Sequence, residues 1–237
     1  MRKKAILFLM LFCFCASFVQ AAPVGSPASL LEKGQWDFAI EGGYISRRPM
    51  ETSGNADYEA SIIHGYHSRS YGLTDRLMIT GRVGGTHGYI YDETVTAGTN
   101  EKTSLSGGLG LGLQLKGIIF QNKDTGFEWD AGGQYLYMRS HHKDSGKANA
   151  DWYEWQFSTC LVKAIGRFKP YAGVKFSIVD LDHDDGQGNK TSYDGDGSVG
   201  PFIGTDICFG EDRDVVIYLE GAFLIGNEFY GGIKYKF

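Results

Sequence analysis

Seven acidic residues, Asp37, Glu41, Glu128, Asp130, Glu154, Asp206 and Glu220, and four basic ones, Arg82, Lys116, Lys175 and Lys234, recur at alternate positions inside otherwise apolar or glycine-rich runs. On one side of extended chain they would share an enclosed space. Paired, they form an ion-pair network that fills it, because a buried charge is expensive without a partner. Separated by water, the excess of acids over bases makes a narrow polar path that prefers cations. A second cluster is Asp180, Asp182, Asp184, Asp185, Asp194 and Asp196. Oxygen ligands at alternate positions suit a hard cation such as calcium, but the EF-hand pattern is broken by Asp185 at the glycine position and Thr191 at the terminal glutamate position. A solvated acidic loop is the expectation. His141 and His142, with Lys143 and Asp144, point different ways on extended chain and have no third ligand nearby, so they too are expected in solvent. His64 and His87 fall on the parity of the apolar face, and no serine is tied to either by a motif. No catalytic, cofactor-binding or metal-ligating residues are assigned, and no cofactor is expected.

The segments that must place these residues are strands. Glycine (34 residues) and aromatics (14%) are too frequent for a helical bundle, and the apolar content is too high for disorder. Period-2 alternation predicts ten strands, at 35–46, 58–70, 76–91, 103–120, 126–140, 152–165, 170–180, 198–209, 215–225 and 229–237. Long connections (47–57, 92–102, 141–151, 181–197) alternate with tight ones (71–75, 121–125, 166–169, 210–214); only the ninth, near Gly226, breaks the pattern. That asymmetry, and an even strand count, belong to membrane barrels with short periplasmic turns and long outer loops. One face reads Trp36, Phe38, Ile40, Tyr44, then Leu105, Leu109, Leu111, Leu113, Leu115; the other carries the charges and Gly108, Gly110, Gly112 and Gln134. Alternation alone would also fit a soluble barrel with its faces reversed. Banding decides between them. Trp36, Phe127, Trp129, Tyr171, Tyr235 and Phe237 gather at the tight-turn ends, and Tyr44, Tyr58, Tyr89, Tyr137, Trp152 and Trp155 at the other, with Leu and Ile between, as two membrane interfaces require. The expected fold is an all-β transmembrane antiparallel up-and-down barrel of about ten strands over residues 35–237.

Residues 1–21 read as a secretory signal peptide: Arg2, Lys3 and Lys4, an apolar stretch, then Val19-Gln20-Ala21 as a small-residue cleavage site. Residues 22–34 are then a short periplasmic segment. Removing three basic residues and no acids makes a chain of net charge −5 more acidic still, which disfavours nucleic acid as a partner. Cys160 and Cys208 would remain, two strands and roughly 10 Å apart, too far for a disulfide.

The final segment, Tyr230-Gly231-Gly232-Ile233-Lys234-Tyr235-Lys236-Phe237, resembles the C-terminal assembly signal of bacterial outer-membrane β-barrels, with Tyr230, Gly232, Tyr235 and Phe237 at its four positions. Residues 70–77 resemble the tight periplasmic turns of porin-like barrels. Residues 23–31 are similar to the start of mature chlamydial major outer-membrane porins, which are far longer and rich in cysteine. The resemblance implies location in the outer membrane of a Gram-negative envelope, contact with outer-membrane lipid, and insertion by the barrel-assembly machinery; it implies no activity. Omptin-type barrel proteases carry an Asp-x-His pair at the outer rim. Here Leu181 stands two residues before His183, so no enzyme is expected. The leading expectation is a narrow porin-like channel for small polar solutes or cations. The alternative is a structural or adhesive barrel that displays its long loops and keeps its lumen plugged.

Overall fold

The computed structural model describes residues 30–52, 57–92, 101–142, 149–184, 189–210, 214–224 and 226–237. The expected leader lies outside them. Ten strands follow in order: β1 (Trp36–Thr52), β2 (Asp57–Thr74), β3 (Leu77–Asp92), β4 (Glu101–Asn122), β5 (Phe127–His142), β6 (Asn149–Lys163), β7 (Phe168–Asp184), β8 (Lys190–Phe209), β9 (Val215–Leu224) and β10 (Gly226–Lys236). Each pairs antiparallel with its neighbours in sequence, and β1 pairs with β10 from Asp37↔Lys236 to Ser46↔Asn227, closing the barrel. Closure leaves no unpaired edge, the condition for a sheet in hydrocarbon. Leu109, Leu111, Leu113 and Leu115 on β4 and Phe157 and Leu161 on β6 stand exposed on the outside, while Asp206, Glu154 and Gln156 are wholly buried inside. This is a soluble protein turned inside out, and only a lipid surround makes it stable.

The strands run further at the long-connection end than alternation predicts. Within the acidic stretch 181–197 the described residues on either side continue as paired strand: Leu181 pairs with Tyr193 and His183 with Thr191. Its physical basis is Val179, Leu181 and Tyr193, buried at every second position among the acids. Leu105, expected toward lipid, is buried inside. A bulge in β4 between Ser106 and Leu109 inserts an extra residue and reverses the faces above it. Gly108 permits that bulge, since a Cβ there would lie 1.6 Å from the Arg139 carbonyl oxygen. His64, expected on the lipid face, also points inward, because the lumen at this end is itself apolar: Ala60 and Ile62 turn in with it.

β9 and β10 have only 10 and 11 residues, which accounts for the short ninth connection. Above their hairpin β1 pairs directly with β8, at Glu51↔Asp194 and Thr52↔Tyr193. The wall has ten strands at the tight-turn end and closes over eight at the other. Gly126 and Gly166, at φ 67° and 64°, supply the left-handed backbone of two tight turns. At the same end the segment before β1 folds against the barrel: Lys33 N donates to Asp75 Oδ1 at 3.1 Å and Leu31 is buried.

Candidate functional site: the barrel interior

Inward-pointing residues form layers along the barrel. At the long-hairpin end an apolar cap packs Ile45, Met50, Ile62, Leu105, Met138, Trp152 and Leu181 across the lumen. Beneath it, Arg48 enters from β1 just past a register shift between Ile45 and Arg48. Its guanidinium donates to Glu154 Oε1 at 2.8 Å, Ser177 Oγ at 3.0 Å and Ser198 Oγ at 3.3 Å, with Glu228 4.0 Å away. Glu154 is held by further donors: Ser177 Oγ at 2.6 Å, Gln156 Nε2 at 2.8 Å and Trp152 Nε1 at 3.3 Å. The hydroxyl of Ser177 thus accepts from Arg48 and donates to Glu154.

One layer lower, Arg82 reaches three strands. It donates to Glu41 Oε1 at 3.1 Å, Gln134 Oε1 at 3.1 Å and Gln114 Oε1 at 2.9 Å. Tyr218 donates to the second oxygen of Glu41 at 2.8 Å. Gln134 in turn donates to Gln156, so the two layers join into one chain: Glu41, Arg82, Gln134, Gln156, Glu154, Arg48. On the opposite wall Lys175 donates to Glu220 at 2.7 Å, with Tyr171 on the other carboxylate oxygen at 3.2 Å. Toward the tight turns Lys234 lies 3.4 Å from Asp37, and Lys116, Asp130 and Asp206 are buried near them. A second apolar cluster, Cys160, Val162, Tyr171, Phe202 and Ala222, lies among these.

Of the eleven charges assigned to the lumen from sequence, ten are buried inside: Asp37, Glu41, Arg82, Lys116, Asp130, Glu154, Lys175, Asp206, Glu220 and Lys234. Glu128 is instead half-buried at the turn-end rim, accepting from Gln121 at 2.8 Å. Sequence reasoning missed Arg48 and Glu228, which it placed in connections, and Tyr218, Ser177 and Ser198, whose inward parity was readable but whose bonding was not. Among the described residues the interior buries seven carboxylates, Asp37, Glu41, Asp130, Glu154, Asp206, Glu220 and Glu228, against five cations, Arg48, Arg82, Lys116, Lys175 and Lys234. The carboxyl oxygens of Asp130 and Glu228 accept no hydrogen bond from described groups. Among the described residues, one cavity within the cap, between Thr86, Leu105 and Trp152, and another between Glu41, Thr80 and Lys234 hold about 10 Å³ each. That is room for about one water apiece.

The other candidates stand apart from this network. Asp182 accepts from Ser192 at 2.7 Å on the exposed β7–β8 hairpin, and His183 faces Tyr193 at 6.5 Å between ring centroids. Asp185 and the side chains of Asp196 and His142 lie outside the described residues. His141 Nδ1 meets Asn149 Oδ1 at 2.5 Å. His87, half-exposed on the outer face, meets the Tyr89 hydroxyl at 3.1 Å. Among the described residues no three His, Cys, Asp or Glu side chains are grouped to hold a metal ion. Cys160 and Cys208 are free thiols, both buried. Of the four positions of the C-terminal motif, Tyr235 and Phe237 face outward, their rings stacked at 6.1 Å, and Tyr230 faces in against His64.

No protein-family model and no curated protein matches the sequence. Solved structures similar to it include the outer membrane protease OmpT from Escherichia coli, at 13% identity over 90% of this chain and 100% of that one, with a TM-score of 0.46. The outer membrane protein OprG from Pseudomonas aeruginosa aligns at 12% identity over 88% and 99%, TM-score 0.46. The translocator domain of the autotransporter NalP from Neisseria meningitidis aligns at 8% identity over 100% and 97%, TM-score 0.47. At these identities none bears on activity. The chain's own closed wall, apolar outside and charged within, is that of a bacterial outer-membrane β-barrel.

Proposed function

We infer that the protein is a closed outer-membrane barrel that holds its β1–β2, β3–β4, β5–β6 and β7–β8 hairpins at the cell surface as a structural or adhesive platform. The observation that carries this reading is the hydrogen-bonded chain from Glu41 through Arg82, Gln134, Gln156 and Glu154 to Arg48, lying across the lumen beneath the apolar cap. Each of its charges is buried and bonded to several partners. Separating them to admit a solute costs several kcal/mol per uncompensated ion, and the cap must open as well. Loops on a rigid frame are where recognition is usually built. The runner-up is the narrow channel for small polar solutes. Its support is the acid excess inside, which would favour cations. Conductance of the purified barrel in planar bilayers separates the two. Wild type is expected to be silent, and joint replacement of Arg48 and Arg82 by alanine to open a small cation-selective conductance. Stable wild-type conductance, lowered by neutralising Glu41, Asp130 and Glu220 together, would transfer the assignment to the channel.

A further inference from the structure

Between the two aromatic girdles the polar groups on the outer wall are few. Thr159 and Thr205 donate to main-chain carbonyls at 2.9 and 3.4 Å, and His87 meets Tyr89. On β2, His67 and Arg69 are exposed outward. His67 stacks on Phe38 with centroids 5.7 Å apart. Arg69 carries the one outward charge of this band among the described residues, and no described acidic side chain pairs with it. An arginine facing lipid costs about 2–4 kcal/mol at mid-depth and about 0–1 kcal/mol near the interface; Arg69 stands just inside the girdle, where an anion from outside the chain would offset what cost remains.

A groove of about 670 Å³ opens beside it on the same wall. Its floor is Gly81, where a Cβ would meet no atom within 4 Å. Packing within the barrel therefore does not require glycine there. Phe38, Arg69, Gly81, Leu113 and Tyr135 are successive cross-strand partners in a single row. Four strand spacings make that row about 19 Å long, comparable to the roughly 15 Å depth of one leaflet of hydrocarbon. Strands in such barrels tilt about 35–45°, so the row climbs the wall. It starts at the tight-turn girdle, where Arg69 stands one outward position from Tyr71 and the Tyr71 ring packs on Trp36 at 4.6 Å. It ends higher on the wall, where Tyr135 packs on Trp155 at 4.7 Å.

We propose that this groove binds one anionic phospholipid of the periplasmic leaflet, its phosphate on Arg69 and one acyl chain lying over Gly81 against Val83, Leu113 and Tyr135. A guanidinium matches two phosphate oxygens at once, and the pairing cancels the outward charge where it stands. The tight-turn end selects the periplasmic leaflet. This proposal rests on the membrane placement argued above. Its test is intact-protein mass spectrometry of the full barrel extracted from membranes in mild detergent, with phosphatidylglycerol and phosphatidylcholine as added probes. Wild type is expected to retain one phospholipid per chain and to hold phosphatidylglycerol longer than phosphatidylcholine. Arg69→Gln is expected to lower retention about tenfold or more, and Arg69→Lys to restore part of it. Gly81→Leu, which fills the floor, should abolish retention. Gly85→Leu, on the outer face of β3 beyond the groove, should not. Heat-modifiable migration shows that each variant is folded. Equal retention by folded wild type and Arg69→Gln, or none by wild type, overturns the groove and leaves the membrane placement standing. A chain absent from the membrane fraction overturns the placement and the proposal together.

Discussion

Arg82 and Arg48 do the same job with different reserves, and the difference is measurable. Without Arg82, Glu41 keeps only the Tyr218 hydroxyl among its resolved donors while remaining buried. Without Arg48, Glu154 still accepts from Ser177, Gln156 and Trp152. Breaking a buried pair by removing one partner costs about 3–5 kcal/mol, and neutral donors that remain offset part of that. Arg82→Met should therefore lower the unfolding free energy in urea by about 3–5 kcal/mol, and Arg48→Met by about 1–3 kcal/mol. Pairing Arg82→Met with Glu41→Gln should recover part of the loss. Equal losses for the two single variants would mean that the donors around Glu154 contribute little. Arg82 was legible in the sequence because β3 alternates regularly through it. Arg48 was not, because the bulge that turns it inward follows the last regular residue of β1, in a stretch whose polarity reads as a loop.

At the scale of the strand, glycines divide by what a side chain would strike. Gly108 lies so close to the Arg139 carbonyl that any Cβ displaces backbone, whereas a Cβ at Gly65 finds only the Glu41 carbonyl oxygen, at 3.9 Å. Gly108→Ala should destabilise by about 1–3 kcal/mol or more. Gly65→Ala should be neutral or slightly stabilising, by about 0.4–1 kcal/mol, through the unfolded chain. Thermal migration shifts of the two variants check the contrast. The last strand makes a separate prediction. Tyr235 and Phe237 add nothing to the lumen; they are exposed on the outer face at the girdle. Replacing both with serine should reduce the amount of heat-modifiable barrel in the outer membrane, and a normal amount would remove these rings from the assembly signal. Strand number, order and lipid face were readable because period 2 survives across most of each strand. Leu105 and His64 were misread for one shared reason. Above mid-height the lumen is lined by an apolar cap, so apolar parity no longer means lipid, and a bulge in β4 exchanges the faces without any change of composition.

The whole molecule is asymmetric along its axis, and that asymmetry predicts its orientation. At one end turns of a few residues join the strands and the segment around Leu31 folds across. At the other, β7 and β8 continue to Asp184 and from Lys190, and β1 meets β8 above a hairpin that stops short. Hairpins that keep pairing past the girdle meet solvent on their outer face, which is why Lys190, Ser192 and Asp194 are exposed there while Leu181 and Tyr193 stay buried in the cap. Tight turns suit the side on which barrels are assembled, and longer hairpins the side that crosses last. The native thiols offer a clean background for testing this, since Cys160 and Cys208 are both buried. A cysteine introduced at exposed Lys190 should react with a membrane-impermeant maleimide on intact cells. One at exposed Lys123, in the turn between β4 and β5, should react only after the outer membrane is opened. The reverse pattern would invert the barrel. It would turn the acidic β7–β8 hairpin toward the periplasm, move Arg69 to the outer leaflet, and withdraw the surface platform as its function.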